Sequence, residues 1–94
     1  MRFKQIVVGD KKITNQKSIL ELLEQNGFDW LIDSEIEDAD LELKNNTLIW
    51  NGGDFYSGSW HYGIFKSGNF YGIFENGIFE NGNFEGKFLS GIKM

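Results

Sequence analysis

From residue 53 to residue 94 the chain alternates glycine and aromatic positions on a fixed beat. Gly53, Gly58, Gly63, Gly68, Gly72, Gly77, Gly82, Gly86 and Gly91 are followed, two residues on, by Phe55, Trp60, Phe65, Phe70, Phe74, Phe79, Phe84, Phe88 and finally Lys93. The steps between glycines run 5, 5, 5, 4, 5, 5, 4, 5, and the recurring 4 sets a longer period of 14. A fixed period of this kind marks stacked, equivalent units that bury a continuous core. Successive aromatics usually stand five apart, an odd number, so an unbroken strand would send Phe55 and Trp60 to opposite faces. Ser57-Gly58, Ser67-Gly68, Asn76-Gly77 and Asn81-Gly82 are dipeptides suited to positive backbone angles, and they reset the parity. The pattern predicts strands of about three to five residues separated by corners, either as a curled antiparallel sheet or as a short solenoid. Its rings form the core stripe, and each adjoining glycine is expected to let a ring of the neighbouring strand lie over bare backbone.

Before the repeat, the periodicity changes from one element to the next. Phe3 to Val8 reads as a strand, and Gly9 to Lys12 as a turn leading to a short strand at Ile13. Asn15 or Ser18 caps a helix, with Glu21 completing a capping box from Ser18. Ile19, Leu20, Leu22 and Leu23 give the helix its apolar stripe, and Asn26-Gly27 stops it. The alternation of Phe28, Trp30 and Ile32 reads as another strand. Residues 33–42 hold six carboxylates in ten positions, Asp33, Glu35, Glu37, Asp38, Asp40 and Glu42, and read as a solvated connection. Asn45-Asn46 then turns a hairpin whose second arm, Thr47 to Trp50, leads into the repeat. The organisation is therefore an α+β cap with an acidic connection over residues 1–50 and a glycine-aromatic β-repeat over residues 51–94, a mainly β fold with a small α+β N-terminal cap. A stack needs covered ends because bare strand edges invite association, so self-association is expected if the cap is lost; Lys93, at the next aromatic position, reads as the other stop.

Composition narrows the function. The 94 residues contain no Cys, which removes disulfides and thiolate metal sites from consideration. No run of about 18 apolar residues and no basic-then-apolar leader is present, so no membrane partner is expected. Residues 1–28 hold five basic and three acidic side chains, a balance of +2, whereas residues 29–94 hold four and eleven, a balance of −7, which together give the net charge of −5. An acidic repeat repels phosphate, so no direct contact with nucleic acid is expected.

Catalytic chemistry is sparse. The single histidine, His61, follows Trp60 at a corner and has no partner predictable from spacing. The glycines lack the Lys-Ser/Thr of a phosphate loop. The acidic run lacks the glycine and ligand spacing of an EF-hand loop. No catalytic residue, cofactor or metal is expected, and the protein is not read as an enzyme.

Three resemblances bear on the repeat. Tyr56-Ser-Gly-Ser-Trp60-His-Tyr-Gly63, Phe70-Tyr-Gly-Ile-Phe74-Glu-Asn-Gly77 and Phe84-Glu-Gly-Lys-Phe88-Leu-Ser-Gly91 resemble the opening of membrane occupation and recognition nexus (MORN) repeats. That resemblance implies a curved antiparallel sheet used as a binding or assembly scaffold. Ala39-Asp40-Leu41, Gly53-Asp54-Phe55, Gly68-Asn69-Phe70 and Gly82-Asn83-Phe84 resemble the core of pentapeptide repeats, which implies a square β-solenoid and, for some members, mimicry of duplex DNA by acidic faces. Four-residue steps are expected to break a square coil, and a 14-residue coil to be too tight for three inward rings. The text as a whole, with Thr47-Leu-Ile-Trp50-Asn-Gly-Gly53 leading in, resembles the Gly-x-Phe/Trp short β-repeats of tailed bacteriophage proteins. This implies a phage setting, in the host cytoplasm or the virion.

The function expected from these readings is non-enzymatic protein binding by a phage accessory protein, either a virion component or an inhibitor of a host factor, with another protein of host or phage as partner. The alternative is an acidic DNA mimic that occupies the groove of a nucleic-acid-binding enzyme. It would use Asp33, Glu35, Glu37, Asp38, Asp40 and Glu42 together with Glu75, Glu80 and Glu85, which recur every five residues and are expected to form a charge row on one solenoid face. Stacking of a glycan on Trp50, Trp60 or Tyr62 is a third class.

Overall fold

The computed structural model describes all 94 residues. The chain is mainly β, 49% strand and 15% helix, with a small helical N-terminal part and a β-solenoid of about three turns and about 14 residues per turn. Strand β1 (Phe3–Val8) pairs antiparallel with β2 (Lys11–Ile13) and parallel with β3 (Glu35–Lys44). Helix α1 (Gln16–Gln25) begins at Asn15, whose side chain accepts from the Ser18 amide at 3.0 Å. Ser18 therefore lies in the first turn and is not the cap. Gly27, at φ 81°, follows the last turn.

Two sequence expectations change here. Residues 29–32 form a single-turn helix, α2 (Asp29–Ile32), in place of a strand. Phe28 and Leu31, three apart, turn into the core together, and Trp30 meets the edge of Trp60 at 5.1 Å. A segment this short satisfies both periods, and packing decides between them. Residues 35–44 are a central strand and not a solvated connection. Ile36, Ala39 and Leu41 face the core, and both strand edges find partners in β1 and β4 (Thr47–Ser57). The β3–β4 hairpin turns at Asn45 and Asn46, with φ of 51° and 62°, as the sequence implied.

β4 is also the first strand of the solenoid. Its residues 49–50 pair parallel with β6 (Ile64–Phe65), which pairs with β9 (Ile78–Phe79) and then β12 (Ile92–Lys93). Its residues 54–55 begin a second side, continued by β7 (Asn69–Phe70) and β10 (Asn83–Phe84). A third side stacks β5 (Ser59–Trp60), β8 (Ile73–Phe74) and β11 (Lys87–Phe88). The pairing is parallel and three-sided, which corrects both the antiparallel meander and the square coil, and each added strand has two residues. Two backbone bonds per side join successive coils, as in Ile78 N–H to Gly63 O at 2.9 Å and Glu80 N–H to Phe65 O at 2.8 Å.

A 14-residue coil does hold three inward rings. Within a coil the rings meet edge to face, Phe65 to Phe70 at 85° and Phe70 to Phe74 at 76°, and between coils they stack, Phe65 on Phe79 at 8° and Phe70 on Phe84 at 6°. Both geometries are favoured by the ring quadrupole, so three edges share the narrow lumen without a void. The four-residue steps do not break the stack because they recur at one corner, Tyr71-Gly72 and then Glu85-Gly86. The glycines serve a second purpose beside the one expected. At Gly68 and Gly77, with φ of 117° and 118°, an added Cβ would collide with the carbonyl oxygen of the glycine one coil earlier, Gly53 or Gly63. The bare position accommodates backbone first, and a ring of the preceding coil also lies against it, Trp50 at Gly68 and Trp60 at Gly77.

One apolar cluster runs from Phe3, Ile6, Ile19 and Leu23 through Phe28 and Leu31 to Trp50, Trp60 and Phe79. The helices and the first coil thus share a core. At the opposite end the Lys93 ammonium lies 4.4 Å from the Phe84 ring centre.

Candidate functional site

The outward residues of β3 define the site. Ile36 and Ala39 are three apart yet both face inward, which a regular strand forbids. A bulge between Glu37 and Asp40, with Asp38 at φ 53°, corrects the parity. As a result Glu35 and Glu37 before the bulge, and Asp40 and Glu42 after it, all lie on the side away from the core, within each pair about 6.7 Å apart along the strand. Asp54 of β4 pairs across from Glu37. Asp38, Asp40 and Asp54 border one depression with Lys4, Asn51 and Gly53. Asp33 ends α2 and is exposed.

These carboxylates have few internal partners. Gln5 donates to Asp40 at 2.9 Å, and Asn69 donates to Asp54 at 2.7 Å. The ion pairs of the protein are the N-terminal ammonium with Glu37 at 2.7 Å and Asp38 at 3.7 Å, and His61 with Glu75 at 3.5 Å. Donation to Glu37 raises the ammonium's pKa above its ordinary value. No Lys or Arg side chain is paired with a carboxylate.

The acids of the repeat are not brought together. A five-residue spacing advances one side per step in a three-sided coil, so Glu75, Glu80 and Glu85 stand on three different sides. The ladder bonds from their amides end on Trp60, Phe65 and Phe70 respectively. The expected charge row on one solenoid face is therefore absent. Glu75 stacks in register above His61, and Glu80 above Lys66. Glu85 follows Tyr71 and accepts from Asn83 at 3.0 Å.

Tyr56 and Tyr71, which the sequence reading passed over, complete the patch. They are 48% and 39% exposed, and their rings stack at 6.0 Å and 11°. The Tyr56 hydroxyl donates to Asp54 at 3.3 Å, and the negative charge of Asp54, helped by burial and by Glu37, raises the phenol's pKa above its usual value. The signal was present in the sequence: Tyr56 and Tyr71 occupy equivalent corners of successive coils once the first coil is counted as 15 residues.

Trp50 and Trp60 are fully buried and offer no face to a sugar; Tyr62 is exposed and donates to Gly27 O at 3.2 Å. His61 lies flat on Trp30, 5.4 Å between centres and 4° from parallel, and joins α2 to the first coil. Comparison of the chain with protein-family models, with curated proteins and with solved structures finds no match.

Proposed function

We propose that this is a non-enzymatic protein-binding module, a phage accessory protein acting in the virion or on a host factor, and that it meets a basic partner across the outer face of β3 and β4. The observation that carries this reading is the gathering of Glu37, Asp38, Asp40, Glu42 and Asp54 on one sheet face without a Lys or Arg counter-ion. Asp40, Glu42 and Asp54 have no ionic partner, and Glu37 and Asp38 share only the N-terminal ammonium, so the face keeps a net negative charge that steers a basic surface toward it. The phage setting rests on the resemblance of the repeat.

DNA mimicry is the second reading, favoured by the regular spacing of acids along β3. It no longer draws on Glu75, Glu80 and Glu85. Affinity capture from bacterial lysate tests both readings. The captured partner should be released between ~0.1 M and ~0.5 M salt and lost by a Glu37→Gln, Asp40→Asn, Glu42→Gln, Asp54→Asn variant. Displacement of that partner by duplex DNA would select mimicry. Retention by the neutralised variant at high salt would overturn both readings.

A further inference from the structure

Where the second and third sides of the solenoid meet, a groove of about 490 Å³ runs across the coils. Its floor is the glycine column Gly58, Gly72 and Gly86, left open because the corner shortens to two residues after the first coil. One wall is built from Tyr71 and Glu85, with Tyr56 stacked behind Tyr71, and the other from Ser59, Ile73 and Lys87. Three coil levels at about 4.8 Å spacing make the floor about 10 Å long, which is the length of three extended residues. The floor carbonyls of Gly58 and Gly72 already accept from Ile73 and Lys87 at 2.9 Å, so a guest would be held by side chains, the hydroxyls of Ser57 and Ser59 among them.

We propose that this groove takes a short extended peptide segment with an arginine laid against Tyr71. The proposal rests on the basic-partner reading given above and names the part of the partner that is read. Charge and ring geometry argue for the cation. Tyr71 belongs to a stacked, solvent-reaching pair, and a guanidinium on such a ring gains cation–π energy as well as stacking. Carboxylates stand at both ends of the pair, Glu85 beyond Tyr71 and Asp54 with Glu37 at Tyr56, and none is paired with a Lys or Arg of the protein. Lys87, the one cation in the lining, stands on the wall opposite Tyr71 and Glu85, where it offers a donor to a peptide carbonyl and leaves the carboxylate wall to the arginine. The groove is continuous with the acidic face through the Asp54–Tyr56–Tyr71 contacts, so a partner docked on that face can lay a strand or tail into the corner. Extended segments seated in aromatic-lined grooves are a recurrent recognition mode.

The test is an NMR titration of the full chain with acetyl-Gly-Arg-Ala-Arg-Gly-amide and with the same peptide carrying Glu for Arg. The arginine peptide should shift the amides of Ser59, Gly72 and Gly86, and the glutamate peptide should not. Tyr71→Ser should weaken binding about 10-fold, whereas Tyr71→Phe, which keeps the ring, should hold it near the parent value. Glu85→Lys, at an exposed position, gives a second loss that does not depend on the tyrosine. Shifts confined to Asn51, Gly52 and Gly53, with Tyr71→Ser binding like the parent, would overturn the groove and leave the acidic-face function standing. Binding of neither peptide at low salt would overturn both.

Discussion

The rings of Phe65 and Phe79 lie 5.0 Å apart and 8° from parallel, although fourteen residues of chain separate them. The relationship recurs on the other two sides of the solenoid, for Phe70 with Phe84 and for Phe74 with Phe88. Each ring therefore touches the ring above it face to face and its coil neighbours edge to face. Stability in such a stack is a sum over neighbouring coils, and a ring matters in proportion to how many neighbours surround it.

Phe74 has rings on every side, whereas Phe88 is only partly buried. Phe74→Ala is expected to cost about 3 to 5 kcal/mol, a large share of the ~5 to 15 available to a domain, and Phe88→Ala distinctly less. Urea unfolding of the two variants measures the difference. Equal losses would mean that the coils do not share one core.

Gly77 sits at φ 118°, where an added Cβ would stand 3.1 Å from the Gly63 nitrogen and 3.2 Å from the Trp60 ring nitrogen, and closer still to the Gly63 oxygen. Gly77→Ala should cost about 3 kcal/mol or more, from the backbone strain together with the collision. Its neighbour Asn76 only accepts the Gly77 amide at 2.9 Å, so Asn76→Ala should cost about 1 kcal/mol. Thermal melts that rank the two in the opposite order would refute the glycine-column argument.

The Tyr56 phenol is raised chiefly by the Asp54 carboxylate, so it should ionise above the usual range of about pH 10. The folded state holds this proton more tightly than the unfolded chain does. Its contribution to stability is thus complete below about pH 10 and is lost as pH rises through the folded-state value. Phenolate absorbance should show one late-titrating tyrosine in the parent, and Asp54→Asn should bring it down toward the others. A parent titration that Asp54→Asn leaves unmoved would remove Asp54 as the cause.

Deleting residues 1–27 removes β1, β2 and α1, leaving β3 as a bare edge and uncovering Leu41 and Leu48, which share the cluster with Ile6, Ile19 and Leu23. The remainder should aggregate or form larger oligomers while the full chain stays discrete. Light scattering on both forms decides this, and a monodisperse remainder with the same strand signal would show that the solenoid closes without its cap.

The sequence by itself determined the repeat. Its 14-residue period, the inward aromatics and the corner glycines follow from spacing, because stacked coils repeat the same side-chain environment at equivalent positions and so call for a ring inward and a glycine at the corner each time. The hairpin at Asn45-Asn46 was legible for a similar reason, as a backbone angle that few residues adopt, while the start of the helix was legible only as Asn15 or Ser18, and the fold chose Asn15. Tertiary structure decided what spacing leaves open. A five-residue step can close a coil of several shapes, and the edge-to-face fit of three rings selected the triangle, which sent Glu75, Glu80 and Glu85 to separate sides. Residues 33–42 looked like a charged link because six acids outweigh three apolar residues in composition. Pairing on both edges, and one bulge at Asp38, turned Ile36, Ala39 and Leu41 inward and set the acids on one face beside Tyr56 and Tyr71. That candidate surface exists only because strands distant in sequence meet, so it became visible with the fold and not before.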